Sequence, residues 1–185
     1  MKFWQTSALA TVLTCLGTVA VASEVPPTPA TRAYWARCAA TLGVPASQNV
    51  RTRRFGETSA MTPVLTRLVM DGEKTITTTS PWLYAHTPAL RPVVGGYSVV
   101  VDEKLVPRGV IQTTRSIELP YNEVTEEYSR HEGAAIRPIA AWRDTHWRLF
   151  TRELAPLGKT PTQDMTVTLE MFKVVCPPAV APASR

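Results

Sequence analysis

The chain has 185 residues and a formal net charge of +5, with 20 Lys+Arg against 15 Asp+Glu. That mild excess tolerates a nucleic acid or other anionic partner without demanding one. Length and hydrophobic content (44%) suit one folded domain with a core, and no segment after the N-terminus is apolar enough to span a bilayer. In chain order, Lys2 gives a positive start, residues 3–21 carry no charge, and Ala20-Val21-Ala22 forms an A-x-A cleavage signature. Glu24 and Pro26-Pro27 end the segment. This is the order of a secretory signal peptide, assigned to residues 1–22, and it implies a periplasmic or secreted protein. A membrane anchor is the alternative. The apolar run is short for a span and is diluted by Thr11, Thr14, Gly17 and Thr18. Cys15 lies too deep in that run to serve for lipid attachment. Removing Lys2 with the signal leaves a mature net charge of about +4.

Residues 23–54 read as an N-terminal helix and linker. Thr28-Pro29 supplies an N-cap and a first-turn proline, Ala33 to Ala40 continue the helix, and Gly43 can close it. Residues 44–56 read as loop, which makes Arg51, Arg53 and Arg54 either a solvated linker or a phosphate contact. The domain proper is assigned to residues 55–176. Thr62-Pro63 repeats the cap-plus-proline signal, Val64, Leu65, Leu68 and Val69 fall at helical spacing, and Gly72 suits the C-terminal turn. Thr75 to Thr79 starts a strand, and Trp82 and Tyr84 follow in a loop or short turn. Gly95-Gly96 is a turn, Tyr97 to Val101 a strand, Asp102-Glu103-Lys104 a hairpin tip, and Val110 to Ile117 another strand. Tyr121 to Arg130 reads as a short acidic helix. Ile139 to Leu154 reads as a longer one with Ile139, Trp142, His146, Leu149 and Phe150 inward. Met165 to Val175 alternates, with Val167, Leu169, Met171 and Lys173 sharing a face. Strands with helices between them indicate an α+β fold, closed most simply as a small mixed β-barrel with peripheral helices. Residues 177–185, rich in Pro and Ala, read as a disordered tail.

Cys38 and Cys176 survive processing. In an oxidising compartment an even pair suggests a disulfide, and two buried thiols are the alternative. No Cys or His spacing suits a metal, and no cofactor is expected.

Gly72-Glu73-Lys74-Thr75-Ile76-Thr77 resembles the G-x-K-T-x-T signature of the ASCH-domain family. The elements after it resemble a subgroup of small bacterial members. They are Ser80-Pro81-Trp82, the hairpin Val94 to Val100, the strand Val110 to Thr114, the helix Glu123 to Gly133, and Trp142 to Trp147. The resemblance covers roughly residues 55–175 and implies a PUA-like β-barrel. Two departures stand out: Gly96 replaces an aspartate of the subgroup, and Ala134-Ala135-Ile136 replaces acidic residues. The signal peptide is a third, because relatives of this kind look cytoplasmic.

The resemblance also implies chemistry. Some ASCH enzymes hydrolyse an amide on modified cytidine, and their Lys, Thr and Glu match Lys74, Thr77 and Glu132. A threonine hydroxyl is a poor nucleophile until a neighbouring base takes its proton, and a lysine can do so if burial lowers its pKa. A glutamate can orient the amine or protonate the departing nitrogen. Positions three apart in a strand face opposite sides, so Lys74 and Thr77 converge only if the chain bends. Each residue has a plainer reading: Lys74 as a helix-end charge, Thr77 as an ordinary strand residue, Glu132 as a solvated helix end. Trp82 and Tyr84 are candidates for stacking on a base. His131 is a candidate for the same pocket, and Arg115 and Arg143 for phosphate contacts. His146, on an apolar helix face, reads as a core histidine. The expected function is therefore amide hydrolysis on an N4-acylated cytidine-like substrate. The alternatives are a ribonuclease, or a module that binds RNA or a nucleoside without turnover. The expected partner is a nucleoside or single-stranded RNA, with no membrane contact after signal cleavage.

Overall fold

Thr28 caps the first helix through local chemistry. In the computed structural model, which describes residues 22–56 and 58–176, Thr28 and Thr31 form a reciprocal capping box and Pro29 occupies the first turn of α1 (Pro29–Leu42). Gly43 ends it at φ 69°, a left-handed position where a side chain would be strained. α2 (Met61–Met70) starts earlier than Thr62-Pro63 suggests. The Thr58 hydroxyl accepts from the Met61 amide, while the Thr62 hydroxyl donates to the Thr58 and Gly56 carbonyls. The acidic segment splits into a 3-10 turn at Tyr121–Glu123 and a one-turn helix, α3 (Glu126–Ser129). α4 (Ile139–Leu154) has the expected span. The signal peptide, all but its last residue Ala22, and the tail fall outside the described residues. No helix among the described residues is long and apolar enough to cross a membrane.

Six strands form one mixed sheet: β1 (Ala22–Glu24), β2 (Val50–Phe55), β3 (Ile76–Thr79), β4 (Tyr97–Val101), β5 (Pro107–Pro120) and β6 (Thr166–Cys176). Their order is β1-β2-β4-β5-β6-β3. β2 runs parallel to β4, and the other neighbours are antiparallel. Bulges after Val100 and Thr113 bend the sheet. The expected closure into a barrel does not occur. The edge strands β1 and β3 have only 3 and 4 residues, and β1 abuts the turn Pro88–Leu90 instead of β3.

Residues 50–55, expected as loop, form β2. The segment 22–50 is likewise integrated, since α1 covers β4 and β5 through Tyr34, Trp35, Cys38 and Ala39 against Val99, Val101 and Val110. Cys38 and Cys176 are bridged, at a Cα–Cα distance of 5.9 Å. α4 covers the other end, packing Trp142, Phe150 and Leu154 on Ile76, Val167 and Leu169. A third cluster, Phe55, Val69, Val100, Ile111 and Phe172, lies beneath α2. β6 is covered on both faces. Val167 and Leu169 meet α4, and Thr168 and Glu170 are also buried. Lys173, whose alternation matches the apolar face, is exposed.

Candidate functional site

The end of α2 aims Lys74. Gly72 turns the chain at φ 73°, the Lys74 amide donates to the Leu68 carbonyl, and the Thr75 amide donates to the His131 carbonyl at 2.9 Å. These bonds hold the segment against the chain that follows α3. Lys74 Nζ thereby donates to Glu132 Oε2, and both residues are buried, at 5% and 1% exposure. Arg137 Nε donates to the Glu132 carbonyl at 2.8 Å and fixes that backbone.

The second oxygen, Glu132 Oε1, is buried without a hydrogen-bond partner. It faces His146 Nε2 at 3.8 Å. His146 Nδ1 lies 2.9 Å from the Trp142 carbonyl, which can only accept, so Nδ1 carries the proton. Nε2 then presents a lone pair and cannot serve Oε1. Burial pushes the His146 pKa down to about 4 against the pull of Glu132, so the ring is neutral at pH 7. The ring stacks on Trp142 at 4.2 Å. The site thus combines an ion pair, a neutral imidazole and an unfilled acceptor.

Thr77 belongs to a second cluster. The β3–β6 register sets Thr77 opposite Glu170 and Thr79 opposite Thr168, while Ile76 and Thr78 pair with Met171 and Leu169. Cross-strand partners share a face, so Thr77 lies beside Glu170. Among the described residues it makes no hydrogen bond to Lys74 or Glu132. Glu170 accepts from Thr113 Oγ1 at 2.6 Å, Arg51 at 3.2 Å and Arg53 at 2.8 Å. Burial alone would raise its pKa, but Arg53, Arg51 and the Thr113 hydroxyl hold it below the ordinary carboxylate value. Arg51 and Arg53 are therefore neither part of a solvated linker nor free phosphate contacts: Arg53 is buried and both are paired with Glu170.

The other candidates disperse. Tyr84 is buried beneath the Arg91 guanidinium, 4.7 Å from its ring, and Lys159 sits 4.6 Å over Trp82, so each ring already carries a cation on a face. His131 Nδ1 lies 3.1 Å from Thr75 Oγ1, one residue from Lys74. Arg115 is exposed beside the β5 bulge. Arg143 donates to the Asn122 and Val124 carbonyls and bridges α4 to the preceding turn. No group of acidic, His or Cys residues among the described residues could hold a metal ion.

Sequence reasoning missed Glu170, whose signal was present. Arg51 and Arg53 alternate on one strand, and Glu170 is the one acidic residue of β6, set between Leu169 and Met171. It also missed a cleft of about 620 Å3 lined by Glu24, Asn49, Arg51, Arg91, Tyr97 and Thr113, among others. Two of its lining residues, Arg51 and Thr113, share Glu170 as a partner. Arg51 also donates to the Ala89 and Arg91 carbonyls and ties down the turn that forms one wall.

A bent, open mixed sheet with a helix on each flank and a buried Lys–Glu centre at its edge defines an α+β protein of PUA-like architecture. The ASCH domain model matches residues 51–176, and the chain belongs to the ASCH-domain family. Among solved structures, an ASCH domain from Lactobacillus crispatus is 30% identical at a TM-score of 0.63, covering 68% of this chain and 79% of its own. A protein from Enterococcus faecalis is 28% identical at a TM-score of 0.69, covering 78% and 87%. No curated protein matches the chain.

Proposed function

We propose that this protein is an ASCH-type hydrolase that cleaves an amide on a nucleoside-sized substrate, most concretely an N4-acylated cytidine. The observation that carries the reading is Glu132: a fully buried carboxylate that pairs with Lys74 through one oxygen and leaves the other without a donor. A purely structural ion pair gains from satisfying every lone pair it buries. An unfilled acceptor beside a neutral imidazole suits a group that arrives with a substrate.

The chemistry follows from the pair. Transfer of one proton from Lys74 to Glu132 gives a neutral amine and a carboxylic acid. The amine takes the Thr77 hydroxyl proton, and the oxygen attacks the amide carbonyl. The C–N bond breaks, Glu132 protonates the departing nitrogen, and an ester forms on Thr77. Water then hydrolyses the ester, and the acid product and free amine leave. Thr77 faces Glu170 across the β3–β6 pair and residues 74 and 75 are held by backbone bonds to Leu68 and His131, so its attack requires β3 to shift toward the amine when substrate binds.

The test is turnover of N4-acetylcytidine by the mature chain, residues 23–185. Thr77→Val and Glu132→Gln should each lower kcat by at least about a hundredfold. RNA cleavage that survives Thr77→Val would replace this reading with a ribonuclease. Binding without turnover would leave a recognition module. The Cys38–Cys176 bridge supports an exported protein, because such bonds persist in oxidising compartments. Thiol trapping in cell fractions should find the bridge in the periplasm or medium, and a reduced cytoplasmic protein would refute export.

A further inference from the structure

Two buried acceptors face one another beside Lys74. Glu132 Oε1 has no hydrogen-bond partner, and His146 Nε2 stands 3.8 Å from it. The Trp142 carbonyl fixes the ring proton on Nδ1, so Nε2 presents a lone pair. The ring is held in that direction, since it stacks on Trp142 at 4.2 Å and packs against Phe150 at 6.1 Å between centroids. With Glu132 as a carboxylate, two lone pairs therefore oppose each other in an interior that screens their repulsion poorly.

One proton removes the conflict, and Lys74 has it to give. Ammonium with carboxylate and amine with carboxylic acid hold the same number of protons. The first arrangement buries two ions and leaves Oε1 unfilled, and the second buries two neutral groups. The Lys74 proton passes to the carboxyl oxygen that already accepts from Nζ. A half-turn of the carboxyl group, about a torsion that is soft and two-fold, carries the O–H to the position facing His146. Closing the gap by about 1 Å then makes an O–H···N hydrogen bond to Nε2. A continuous chain results, in which Lys74 donates to Glu132, Glu132 to His146, and His146 to the Trp142 carbonyl. Hydrogen bonds in such a chain polarise and strengthen one another. Burial lowers the His146 pKa to about 4, so the ring accepts the hydrogen bond without taking the proton.

We infer that His146 is a positioning residue: it holds Glu132 as a carboxylic acid whose O–H is donated to Nε2, and so leaves Lys74 as a free amine. As a catalytic device this rests on the hydrolase reading above, in which that amine takes the hydroxyl proton and that acid protonates the departing nitrogen. Both groups then stand in their working forms before substrate arrives. The departing nitrogen replaces Nε2 as the acceptor of the Glu132 proton, and the imidazole itself neither gains nor loses one.

The test is infrared spectroscopy of the mature, disulfide-bonded chain at neutral pH with isotope-labelled glutamate, for wild type, Glu132→Gln and His146→Gln. Thermal melting confirms that the variants are folded. A protonated carboxyl group has a carbonyl stretch well above that of a carboxylate, and its position reports what the O–H donates to. Wild type should show such a band, assigned by its loss in Glu132→Gln. His146→Gln should shift or remove it, and should lower kcat on N4-acetylcytidine by about tenfold with KM unchanged. Nitrogen NMR of the lysine side chains, which needs no variant, should show one amine in wild type. A wild type without the band, a band that His146→Gln leaves in place, or lysines that are all ammonium would each overturn the inference. The band without turnover would remove the hydrolase reading alone, and turnover without the band would remove this inference alone.

Discussion

At the scale of single residues, His146 has the clearest consequence for solution behaviour. Its folded pKa is about 4, below the ordinary value near 6.5, because burial disfavours the imidazolium. As pH falls below about 6.5 the unfolded chain gains a proton that the folded chain refuses. Stability is therefore full above that value and is lost down to about pH 4. At pH 5 the loss from this residue is about 2 kcal/mol. Below about pH 4.5 Glu170 adds a separate loss, since Arg53 and Arg51 hold its carboxyl down only in the folded state. Urea titrations at pH 7 and pH 5 should show the drop, and His146→Gln should flatten it. An equal drop in the variant would mean that another group sets the window. Gly96 carries a different constraint. A Cβ there would sit 2.8 Å from the Val93 carbonyl oxygen, which already accepts the Gly96 amide. The aspartate of related sequences cannot simply be restored: Gly96→Asp must shift the turn at the cleft rim. We expect a loss of about 1–3 kcal/mol, read from the urea midpoint, and a variant as stable as wild type would show that the turn yields freely.

At the scale of elements, the sequence was legible where the signals are local. Thr28-Pro29 and Gly43 bracket α1 because capping and left-handed closure involve neighbours within a few residues. The 3.6-residue apolar period of α4 fixes its span. β2 was not legible, because three arginines in six residues mimic a solvated segment. Two of them, Arg51 and Arg53, are drawn inward by Glu170, 119 and 117 residues away. Barrel closure failed for a related reason, since the pairing of two short edge strands is a long-range property. Lys74 and Glu132 were nominated through the family signature. Their contact depends on the Thr75–His131 backbone bond across 56 residues, which no spacing in the chain announces. The Arg51–Arg53–Glu170 group should behave as a unit. Glu170→Ala leaves the buried Arg53 and its neighbour Arg51 without their shared carboxylate, and should cost about 3–5 kcal/mol. Replacing Arg53 and Glu170 together by Met should recover most of that loss in urea melts. A double variant as unstable as the single one would show that packing, rather than the stranded charge, is responsible.

At the scale of the whole molecule, the sheet has no closing strand pair, and its two ends rely on different covers. α4 holds the β3–β6 end by apolar packing around Trp142, Phe150 and Leu169. α1 holds the β2–β4–β5 end through a smaller cluster into which the Cys38–Cys176 bridge is set. The bridge joins positions 138 residues apart and so encloses nearly all of the described chain. Closing so long a loop in the unfolded state removes much of its freedom, and the chain-entropy model sets a ceiling of about 5 kcal/mol on the resulting stability. That is comparable to the whole stability of an ordinary domain, about 5–15 kcal/mol. Cys38→Ser/Cys176→Ser, or treatment with dithiothreitol, should lower the melting temperature by ten degrees or more, on the order of 4 °C or less for each kcal/mol in a chain of this size. The loss should be uneven. Hydrogen exchange should quicken first in α1, whose contacts with β4 and β5 lose the covalent clamp, and in β1, which leads into α1, while α4 and the Lys74–Glu132 segment keep their protection. Exchange that rises equally across both ends would instead mean that the bent sheet unfolds as one cooperative unit, with the bridge acting on the unfolded chain alone.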